Sequence, residues 1–475
     1  MRLFSKMALA FSLVASITVP TSVFATNGYF LIGYGAKSRS MGGVGVAYAQ
    51  DALAAGANPA GMADVKVSTM RIDFGGEYFR PKRAFIHDSQ ELESNFPGST
   101  SAVNHTSGSN DFLIPSAGGI YKFNRKLTIG MAVVGAGANS RYDQKVPGNP
   151  TCLVGDTSGG TASTAFNFNC IGGPTVGVNL IQMQMLPSVA YKVNKNHFVG
   201  ASLAIGVQTF RAYGLQAFGP TGLGYTTGSK FTNQGNDWSY GAGVRVGWLG
   251  KFLKKRLTLG ANYSSRVYMT EFDKYKDLFA EQGDFDIPSN WSLGLAYKLT
   301  DNIDVAFDYQ RINYTDVSSI SNKGPDASNP ITFFPSGCVT LPSGDNSCIL
   351  GADDGMGFGW DDADVFKVGI NYDYNDKWSF RAGYNYAESP IQEDQVLFNF
   401  LAPAVTEHHL TLGASYRPDK NIEWSFNYSH AFSNTIKGQT ALGPNGSAFP
   451  VVSPNTNGAI DMEINTFGVS FGYSL

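Results

Sequence analysis

Alternation of apolar and polar residues, repeated along most of the chain, limits the fold more than any other sequence feature. The stretch 378–386 reads WSFRAGYNY, so its even positions are apolar and its odd positions are small, polar or charged. The same pattern recurs at 257–264, 366–374 and 424–429. Successive side chains of a β-strand face opposite sides, so each stretch has one apolar and one polar face. The sequence therefore predicts an all-β protein built from many amphipathic strands.

Apolar segments beyond residue 25 are too short to cross a bilayer as helices, which takes roughly 20 residues. The apolar stretch 129–134, for example, is soon followed by Gly, Asn and Ser. Only helices and closed barrels satisfy every backbone polar group in lipid. A membrane role for this chain therefore requires a β-barrel. Its 55 Gly, 23 Tyr and 33 Phe, with 15% charged residues, are typical of a glycine- and aromatic-rich β-protein.

Connections between the strands alternate in length. Six short turns, which include 123–126, 194–196, 300–302, 375–377 and 418–421, alternate with longer polar segments at 80–110, 139–178, 214–235, 269–287, 315–360, 388–405 and 434–460. Outer-membrane barrels combine short periplasmic turns with long extracellular loops and an even number of strands. Seven loops and six turns connect fourteen strands. The prediction is a transmembrane antiparallel β-barrel of about fourteen strands.

A soluble β-sandwich is the alternative, because it shows the same alternation with its apolar face inward. The aromatic residues collect near strand ends, as they do in the girdles of membrane barrels, and this favours apolar faces turned to lipid. The final stretch 466–475 alternates to the last residue. Such a strand can close onto the first one and remove the edges of the sheet.

The N-terminus has the pattern of an exported protein. Arg2 and Lys6 precede an apolar run at 7–19, Pro20 and small residues up to Ala25. This order predicts a signal peptide over residues 1–25, and the run is short for the alternative, an anchor helix. Residues 26–64 lack strand periodicity and are rich in small residues, so we expect short helical turns there. Residues 65–475 form the predicted barrel.

Four cysteines form two local pairs, Cys152 with Cys170 and Cys338 with Cys348. An even number of cysteines in an exported chain favours disulfides, which would staple two long loops. A metal site is the competing interpretation, but no histidine lies near either pair. The net charge of −3 and the lack of a basic block argue against a nucleic-acid partner.

The segment before the first strand carries a resemblance to a known family. Ser40-Met41-Gly42-Gly43, the alanine-rich stretch 47–51 and the stretch 56–62 resemble the FadL/TodX family of outer-membrane transporters of hydrophobic compounds. Asn58-Pro59-Ala60, directly before the first strand, is that family's mark. Further similar stretches are 186–191, 307–310, 381–384 and 389–391. The resemblance extends over essentially the whole mature chain.

The resemblance implies passive transport of long-chain fatty acids, or of aromatic hydrocarbons or alkanes, across a Gram-negative outer membrane. Residues 26–64 would form a hatch that plugs the barrel. A ligand would bind between extracellular loops, reach a pocket near the mature N-terminus at Tyr29 and Phe30, and leave through a gap in the wall. The gap would be a kink in the third strand beside Asn58, Pro59 and Ala60. We place the kink at Gly135 and Gly137, because glycines in strands often mark bulges; an ordinary strand end is the alternative.

Two groups of residues are candidates for ligand contact. Phe272, Tyr275, Leu278 and Phe279 recur at three- and four-residue intervals, which predicts one face of a helix in an extracellular loop. That face could bind ligand or pack on neighbouring loops. By strand parity, the charged residues expected inside the barrel are Arg71, Arg245, Arg266, Lys367 and Arg381. Lys367 and Arg381 are the candidate contacts for a carboxylate headgroup, and fixing the hatch is the alternative role.

Enzymatic activity is not expected, because the sequence lacks a Ser-His-Asp arrangement, a phosphate-binding loop and a His-Glu-x-x-His motif. We also expect no metal or cofactor. Two other functions remain as alternatives: a porin for polar solutes, which would need neither a hatch nor a wall gap, and a surface receptor for phage or adhesion. We expect a monomer surrounded by outer-membrane lipid and lipopolysaccharide.

Overall fold

The computed structural model describes residues 27–87, 103–143, 175–219, 225–226, 228–324, 346–439 and 457–475. The predicted signal peptide and Cys152, Cys170 and Cys338 lie outside the described residues. Cys348 is buried and disulfide-bonded. The two cysteine pairings stay predictions.

A closed antiparallel β-barrel of fourteen strands forms the body of the protein. Its segments are β1 (Met70–His87), β2 (Val103–Thr106), β3 (Phe112–Lys122), β4 (Leu127–Asn139), β5 (Gly177–Lys192), β6 (His197–Tyr213), β7 (Asp237–Phe252), β8 (Leu257–Ser264), β9 (Tyr268–Met269), β10 (Asn290–Lys298), β11 (Ile303–Ile312), β12 (Ala363–Asp373), β13 (Trp378–Ala387), β14 (His408–Tyr416), β15 (Ile422–Gln439) and β16 (Asn457–Ser474). The sixteen segments make fourteen strands, because two strands of the barrel are each divided into two segments. β2 and β3 both pair with β1, and β8 and β9 both pair with β7. The predicted strand number is confirmed.

The last strand closes the barrel onto the first. β16 pairs with β1 from Ser474 opposite Arg71 to Gly458 opposite His87. Closure leaves the sheet without free edges along these strands, which is the condition for a sheet in lipid. The alternating C-terminal stretch therefore has the role that its pattern predicts.

The barrel is apolar outside and polar inside. In β13, Trp378 and Phe380 are exposed, whereas Ser379 and Arg381 beside them are buried. The same alternation in β12 exposes Phe366 and Val368. Exposed aromatic and aliphatic side chains suit a wall that contacts lipid, and a β-sandwich would bury them. The arrangement predicted from strand parity is confirmed.

Short helical turns lie in the N-terminal segment and in the connections. The α-helical ones are Gly35–Arg39, Ala54–Ala57, Ala280–Gly283, Ser318–Ser321 and Val396–Asn399, and the 3-10 turns are Pro59–Ala63, Gln216–Phe218, Leu253–Lys255, Asp273–Tyr275, Tyr314–Asp316 and Glu393–Gln395. No helix in the described ranges has the length and apolar character needed to span a membrane.

Residues 27–64, called the N-terminal segment below, contact the inward faces of strands on several sides of the barrel. Gly200 in β6 has no room for a side chain beside Pro59 and Ala60, and Gly383 in β13 has none beside Met41. Inward glycines thus let the segment lie directly against the wall. The segment occupies the lumen at the level of these strands.

Candidate functional site

Buried ion pairs fasten the N-terminal segment to the barrel. The Nζ of Lys37 lies 2.6 Å from the Oε2 of Glu423, and Arg39 forms an ion pair with Glu77. All four side chains are buried. Removing one member of a buried ion pair strongly destabilises the folded protein, because the other charge then lies unpaired in surroundings of low polarity. The segment is therefore held against the wall.

A carboxylate in β11 also holds the segment through its backbone. The Oδ2 of Asp308 accepts hydrogen bonds from the backbone N–H groups of Gly45 and Val46, at 2.7 and 3.0 Å. Charged acceptors strengthen such bonds. This contact fixes the middle of the segment, between the helical turns Gly35–Arg39 and Ala54–Ala57.

Asn58 of the Asn-Pro-Ala stretch links the N-terminal segment to the wall. Its Nδ2 donates to the backbone oxygens of Val46 and Trp248, at 2.8 and 2.9 Å. Its Oδ1 accepts from the N–H of Ala60 at 3.0 Å and so caps the 3-10 turn Pro59–Ala63. Asn58, Pro59 and Ala60 are all buried. One side chain therefore satisfies three backbone groups, including one on β7.

Of the inward basic residues, Arg381 and Arg245 bind the N-terminal segment, and Lys367 binds the neighbouring strand β11. The Nε of Arg381 donates to the Oε1 of Gln50 at 2.9 Å, and the Nζ of Lys367 donates to the Oε1 of Gln310 at 2.9 Å. Arg245 donates to the backbone oxygen of Gly56. None of these basic side chains lines the loop-side cavities described below.

A continuous set of rings, all buried except the half-buried Phe358, leads from the extracellular loops to the start of the N-terminal segment, and it is called the aromatic cluster below. Its members are Tyr29, Phe30, Phe210, Phe218, Tyr225, Phe272, Tyr275, Phe279, Phe285, Tyr314, Phe358, Trp360 and Phe398. The ring of Phe279 lies 4.6 Å from that of Phe210 and 4.8 Å from that of Phe285. Phe285 in turn lies 6.4 Å from Tyr29, which lies 6.1 Å from Trp360.

The predicted helix across 272–280 is wrong. The chain forms a 3-10 turn at Asp273–Tyr275 and a helical turn at Ala280–Gly283 instead. The reason is that its backbone bonds other segments: the N–H of Asp277 donates to the oxygen of Lys230, and the N–H of Phe272 to that of Gly283. The apolar side chains at 272, 275, 278 and 279 are nevertheless all buried.

An apolar cavity, called the loop cavity below, lies within the extracellular loops. Its lining is Val178, Phe210, Leu215, Leu278, Phe279, Ser319, Met356, Gly357, Phe358, Phe398 and Leu401. Of the lining residues that the structure describes, Ser319 is the one with a polar side chain. The volume of this cavity, counted as the space that the centre of a water molecule can reach, is about 10 Å³. A ligand must therefore displace side chains to enter.

The wall of the barrel loses its pairing between β3 and β4. Their ladder runs from Lys122 opposite Thr128 to Ala117 opposite Val133 and stops there. Among the described residues, 134–139 of β4 pair only with β5, and 112–116 of β3 pair only with β1. The gap between these two stretches is called the wall opening below, and Gly135 and Gly137 lie on its β4 side.

Burial along β4 changes phase at the wall opening. Buried and half-buried residues alternate from Leu127 to Ala136, and then both Ala136 and Gly137 are buried. The pairing with β5 continues through this point without a shift of register. The change in phase therefore reflects a local change in how β4 faces the lumen.

A second small cavity, called the wall cavity below, joins the start of the N-terminal segment to the wall opening. Its lining is Gly28, Tyr29, Arg83, Gly137, Ala138, Asn139, Trp360, Ala402, Pro403, Ala404 and Met462. The free volume for a water-sized sphere is about 20 Å³. Tyr29 and Trp360 belong to both this cavity and the aromatic cluster, so the two are continuous.

Arg83 was missed by the sequence reasoning. It is buried in β1, and its guanidinium donates to the backbone oxygens of Asn139 and Ser109. It has the same strand parity as Arg71 and Glu77, so a longer first strand would have predicted an inward Arg83. The prediction that a loop begins at residue 80 is wrong, because β1 continues to His87.

Another basic residue lies in the loops and not in the lumen. Arg266, beyond the end of β8, pairs with Asp286 and with Asp284, whose Oδ2 lies 3.0 Å from its Nη2. Burial, and then the nearby Asp286 carboxylate, raise the pKa of Asp284 to about 7, against the opposing effect of Arg266. In the described part of the chain no group of His, Cys, Asp or Glu could hold a metal ion.

The closed fourteen-strand wall, with lipid-facing rings outside and an occupied lumen, defines the class: an outer-membrane β-barrel. The chain belongs to the family of outer membrane transport proteins described as OMPP1/FadL/TodX, whose model matches residues 157–474. This is a family of outer-membrane channels for hydrophobic compounds. The resemblance seen in the sequence and the predicted outer-membrane location are confirmed.

Relatives and solved structures agree with this assignment. The 47 kDa outer membrane protein of Pasteurella multocida is 24% identical over 428 residues, covering 84% of this chain and 87% of the relative. The toluene transporter TodX of P. putida has a similar fold, with a TM-score of 0.59 and 17% identity over 94% of this chain and 99% of that one. A FadL homologue of Pseudomonas aeruginosa gives a TM-score of 0.57 at 16% identity, covering 96% and 99% of the two chains.

Proposed function

We propose that this protein transports long-chain fatty acids across the outer membrane and releases them sideways through the wall opening. The observation that carries the proposal is the wall cavity. It brings Tyr29 of the aromatic cluster and Gly137 of the unpaired β4 edge into one apolar space. A ligand that reached Tyr29 would therefore need to move only along apolar side chains to arrive at the wall.

The proposed route begins at the loop cavity. Phe279 lines that cavity and contacts Phe285, which contacts Tyr29. Each methylene moved from water into such surroundings is stabilised by roughly 0.8 kcal/mol. Because both cavities are nearly closed, we propose that side chains of the cluster move aside as the acyl chain passes.

Lateral release is favoured over passage through the lumen because the N-terminal segment works as a hatch in this proposal. The ion pairs of Lys37 with Glu423 and of Arg39 with Glu77 would have to break for the segment to leave. An acyl chain that continued downward would also meet the charged periplasmic mouth, whose lining includes Lys37, Arg71 and Glu423. Leaving through the wall keeps the chain in apolar surroundings.

Arg83 is the proposed contact for the carboxylate headgroup. Among the described residues it is the one with a charged side chain that lines the wall cavity, and a guanidinium offers five N–H donors. Arg381 is instead proposed to fix the hatch, because its hydrogen bond goes to Gln50. Lys367 is proposed to fix the wall, because its hydrogen bond goes to Gln310 of the neighbouring strand β11. In this proposal Arg381 has the hatch-fixing role that the sequence analysis gave as the alternative.

Aromatic hydrocarbons are the second candidate ligands. The aromatic cluster offers ring faces and edges to a flat ligand, and ring pairs are stabilised beyond the area that they bury. The toluene transporters TodX and TbuX share the fold. A polar-solute porin is disfavoured by the apolar lining of the loop cavity. A role as a surface receptor would be additional to transport.

The wall opening is tested by replacing Gly137 with phenylalanine. We expect Gly137→Phe to reduce oleate uptake by cells at least tenfold, because the ring would fill the wall cavity. The matched control is Gly119→Phe, since a side chain at Gly119 in β3 meets open space. Both variants should keep the heat-modifiable migration of a folded barrel on gels. Normal uptake by a folded Gly137→Phe protein would contradict lateral release at this place.

The ligand class is tested with Arg83→Met. We expect weaker binding of oleate and unchanged binding of toluene or of methyl oleate, since only oleate carries a carboxylate. Fluorescence or calorimetric titration of the purified barrel measures all three. If oleate affinity is unchanged while Arg83→Met remains folded, the carboxylate assignment is wrong.

A further inference from the structure

Three neighbouring short turns of the barrel are strongly basic. The stretches 122–126, 192–197 and 251–256 together hold nine Lys or Arg residues and no Asp or Glu. The other three short turns, with their flanks at 298–304, 373–377 and 417–423, hold four basic and six acidic residues. The protein as a whole has a net charge of −3, so this charge is concentrated on one side of one end.

The three basic stretches are adjacent in the barrel, and together they are called the basic rim below. They join β3 to β4, β5 to β6 and β7 to β8, which are consecutive in the order of the sheet. Short turns of such barrels face the periplasm. The β3–β4 turn also lies at the foot of the strand pair that forms the wall opening.

The exposed charges of the basic rim lie at the edge of the lipid-facing surface. The Nζ of Lys126 lies 5.9 Å from the centre of the Tyr191 ring, and the guanidinium of Arg256 lies 5.6 Å from that of Tyr297. Tyr191 is exposed on the outer face, with buried Ala190 beside it. Long basic side chains near a membrane boundary lay their stems on apolar surface and extend their charge to the headgroups.

These exposed charges have no acidic partner within the described ranges. The rim residues that are exposed are Arg125, Lys126, Lys195, Lys254, Lys255 and Arg256. Among the ion pairs of the described residues, only Lys251 of the rim takes part, with Asp64. Like charges placed side by side repel one another, and an anionic partner removes that cost.

We propose that the basic rim binds the anionic headgroups of phospholipids in the leaflet next to the short turns. A lipid surface is favoured over an acidic protein because Lys126 and Arg256 lie over outward-facing rings of the wall. Basic clusters beside apolar anchors are attracted to anionic lipid surfaces, and the attraction is screened by salt. The rim would enrich anionic lipid beneath the wall opening, whichever ligand the protein transports.

Two tryptophans allow the proposal to be tested within one molecule. Trp248 lies near the basic rim, where its ring is 5.9 Å from that of His197. Trp378 follows the short turn at 375–377, which is outside the rim. We would prepare full-length variants that keep only Trp248 or only Trp378, with phenylalanine at the other positions. Each would be placed in vesicles that contain brominated phosphatidylglycerol or brominated phosphatidylcholine, whose bromine quenches nearby tryptophan.

We expect phosphatidylglycerol to quench Trp248 about twofold more than phosphatidylcholine at low salt, and to quench Trp378 equally with both. High salt should reduce the difference at Trp248. Changing Arg125, Lys126, Lys254 and Lys255 to glutamine should abolish it. Changing four exposed lysines elsewhere, Lys82, Lys377, Lys420 and Lys437, should leave it intact. Equal quenching of Trp248 by both lipids would overturn the proposal. An acidic protein would then be the better candidate partner of the basic rim.

A second measurement serves if the single-tryptophan variants do not fold. Native mass spectrometry of the otherwise unmodified barrel, purified from mixed lipid, counts the phosphatidylglycerol and phosphatidylcholine molecules that remain bound. We expect the anionic lipid to be retained preferentially and the preference to be lost in the four-residue rim variant alone. Loss of the preference in both four-residue variants would overturn the assignment to the rim.

Discussion

One carboxylate joins three parts of the barrel: the Oε2 of Glu423 in β15 lies 2.6 Å from the Nζ of Lys37 and 2.7 Å from an Nη of Arg71 in β1. Arg417 approaches its other oxygen at 3.2 Å. Lys37 belongs to the N-terminal segment, so the segment, the first strand and the penultimate strand meet at this group. The N-terminal segment is therefore tied to the region where the barrel closes.

Glu423→Gln should weaken this connection strongly. Removing one member of a buried charge pair costs about 3–5 kcal/mol, because Lys37 then lacks its ion-pair partner, although Arg71 keeps its pair with Asp73. We expect earlier unfolding in urea and new ion conductance in planar bilayers as the N-terminal segment loosens. Glu388→Gln, at an exposed position, is the control. A Glu423→Gln barrel that conducts no ions and has unchanged stability would show that this carboxylate does not hold the segment.

Asn58→Ala should loosen the N-terminal segment by a different contact. The change leaves the backbone oxygens of Val46 and Trp248 without their donor, and each unsatisfied buried group costs about 1–3 kcal/mol. We expect a lower midpoint of heat denaturation and brief conductance events in bilayers. Asn302→Ala, in an exposed turn, should behave as the unmodified protein. Identical melting of both variants would contradict the anchoring role of Asn58.

Phe279→Ala should impair ligand binding at the loops. Truncating a buried phenylalanine costs about 3–5 kcal/mol, and here it removes ring contacts to Phe210, Phe272 and Phe285. We expect at least a tenfold loss of oleate affinity, with Phe279→Leu intermediate because it keeps much of the apolar volume. Titration of the purified barrel measures the affinity. Tighter binding by the alanine variant would show that the small cavity volume, and not ring contact, limits affinity.

The loop between β9 and β10 should respond to pH through Asp284. Its pKa is raised from the usual 3.8 to about 7, first by burial and then by Asp286, and Glu281 adds a smaller effect in the same direction. The folded loop therefore binds this proton more tightly than the unfolded loop does. The resulting stabilisation is complete below about pH 4 and is lost as the pH rises through about 7.

Hydrogen exchange of residues 270–287 at pH 5 and pH 8 measures this effect. We expect faster exchange at pH 8 than the intrinsic rates alone explain, and Asp284→Asn should remove that excess. Asp273→Asn, at an exposed position of the same loop, should retain it. An excess that persists in Asp284→Asn would assign the pH response to another group.

Strand parity predicted the wall well, because a lipid-facing strand must alternate whatever its neighbours are. It correctly placed Lys367 and Arg381 inside, and both are buried. The same parity would have identified Arg83 if β1 had been extended to His87. The boundary was missed because β1 continues beyond residue 80 into a stretch that was assigned to a loop by its polarity.

Spacing within the loops was less informative. The apolar residues at 272, 275, 278 and 279 predicted a helix, yet the segment bonds to Lys230 and folds as two turns. Three- and four-residue spacing reports only that one side of a segment is apolar. The neighbouring loops determine which backbone conformation buries that apolar side.

From its sequence alone this chain is a fourteen-stranded barrel with apolar residues outward, because alternation and connection length are local properties that survive in any arrangement of the strands. The pairing that ends at Ala117 and Val133, the wall cavity and the contacts of Asn58 were decided by the tertiary structure. Each depends on how residues far apart in the chain meet, and no local pattern records the distance between them.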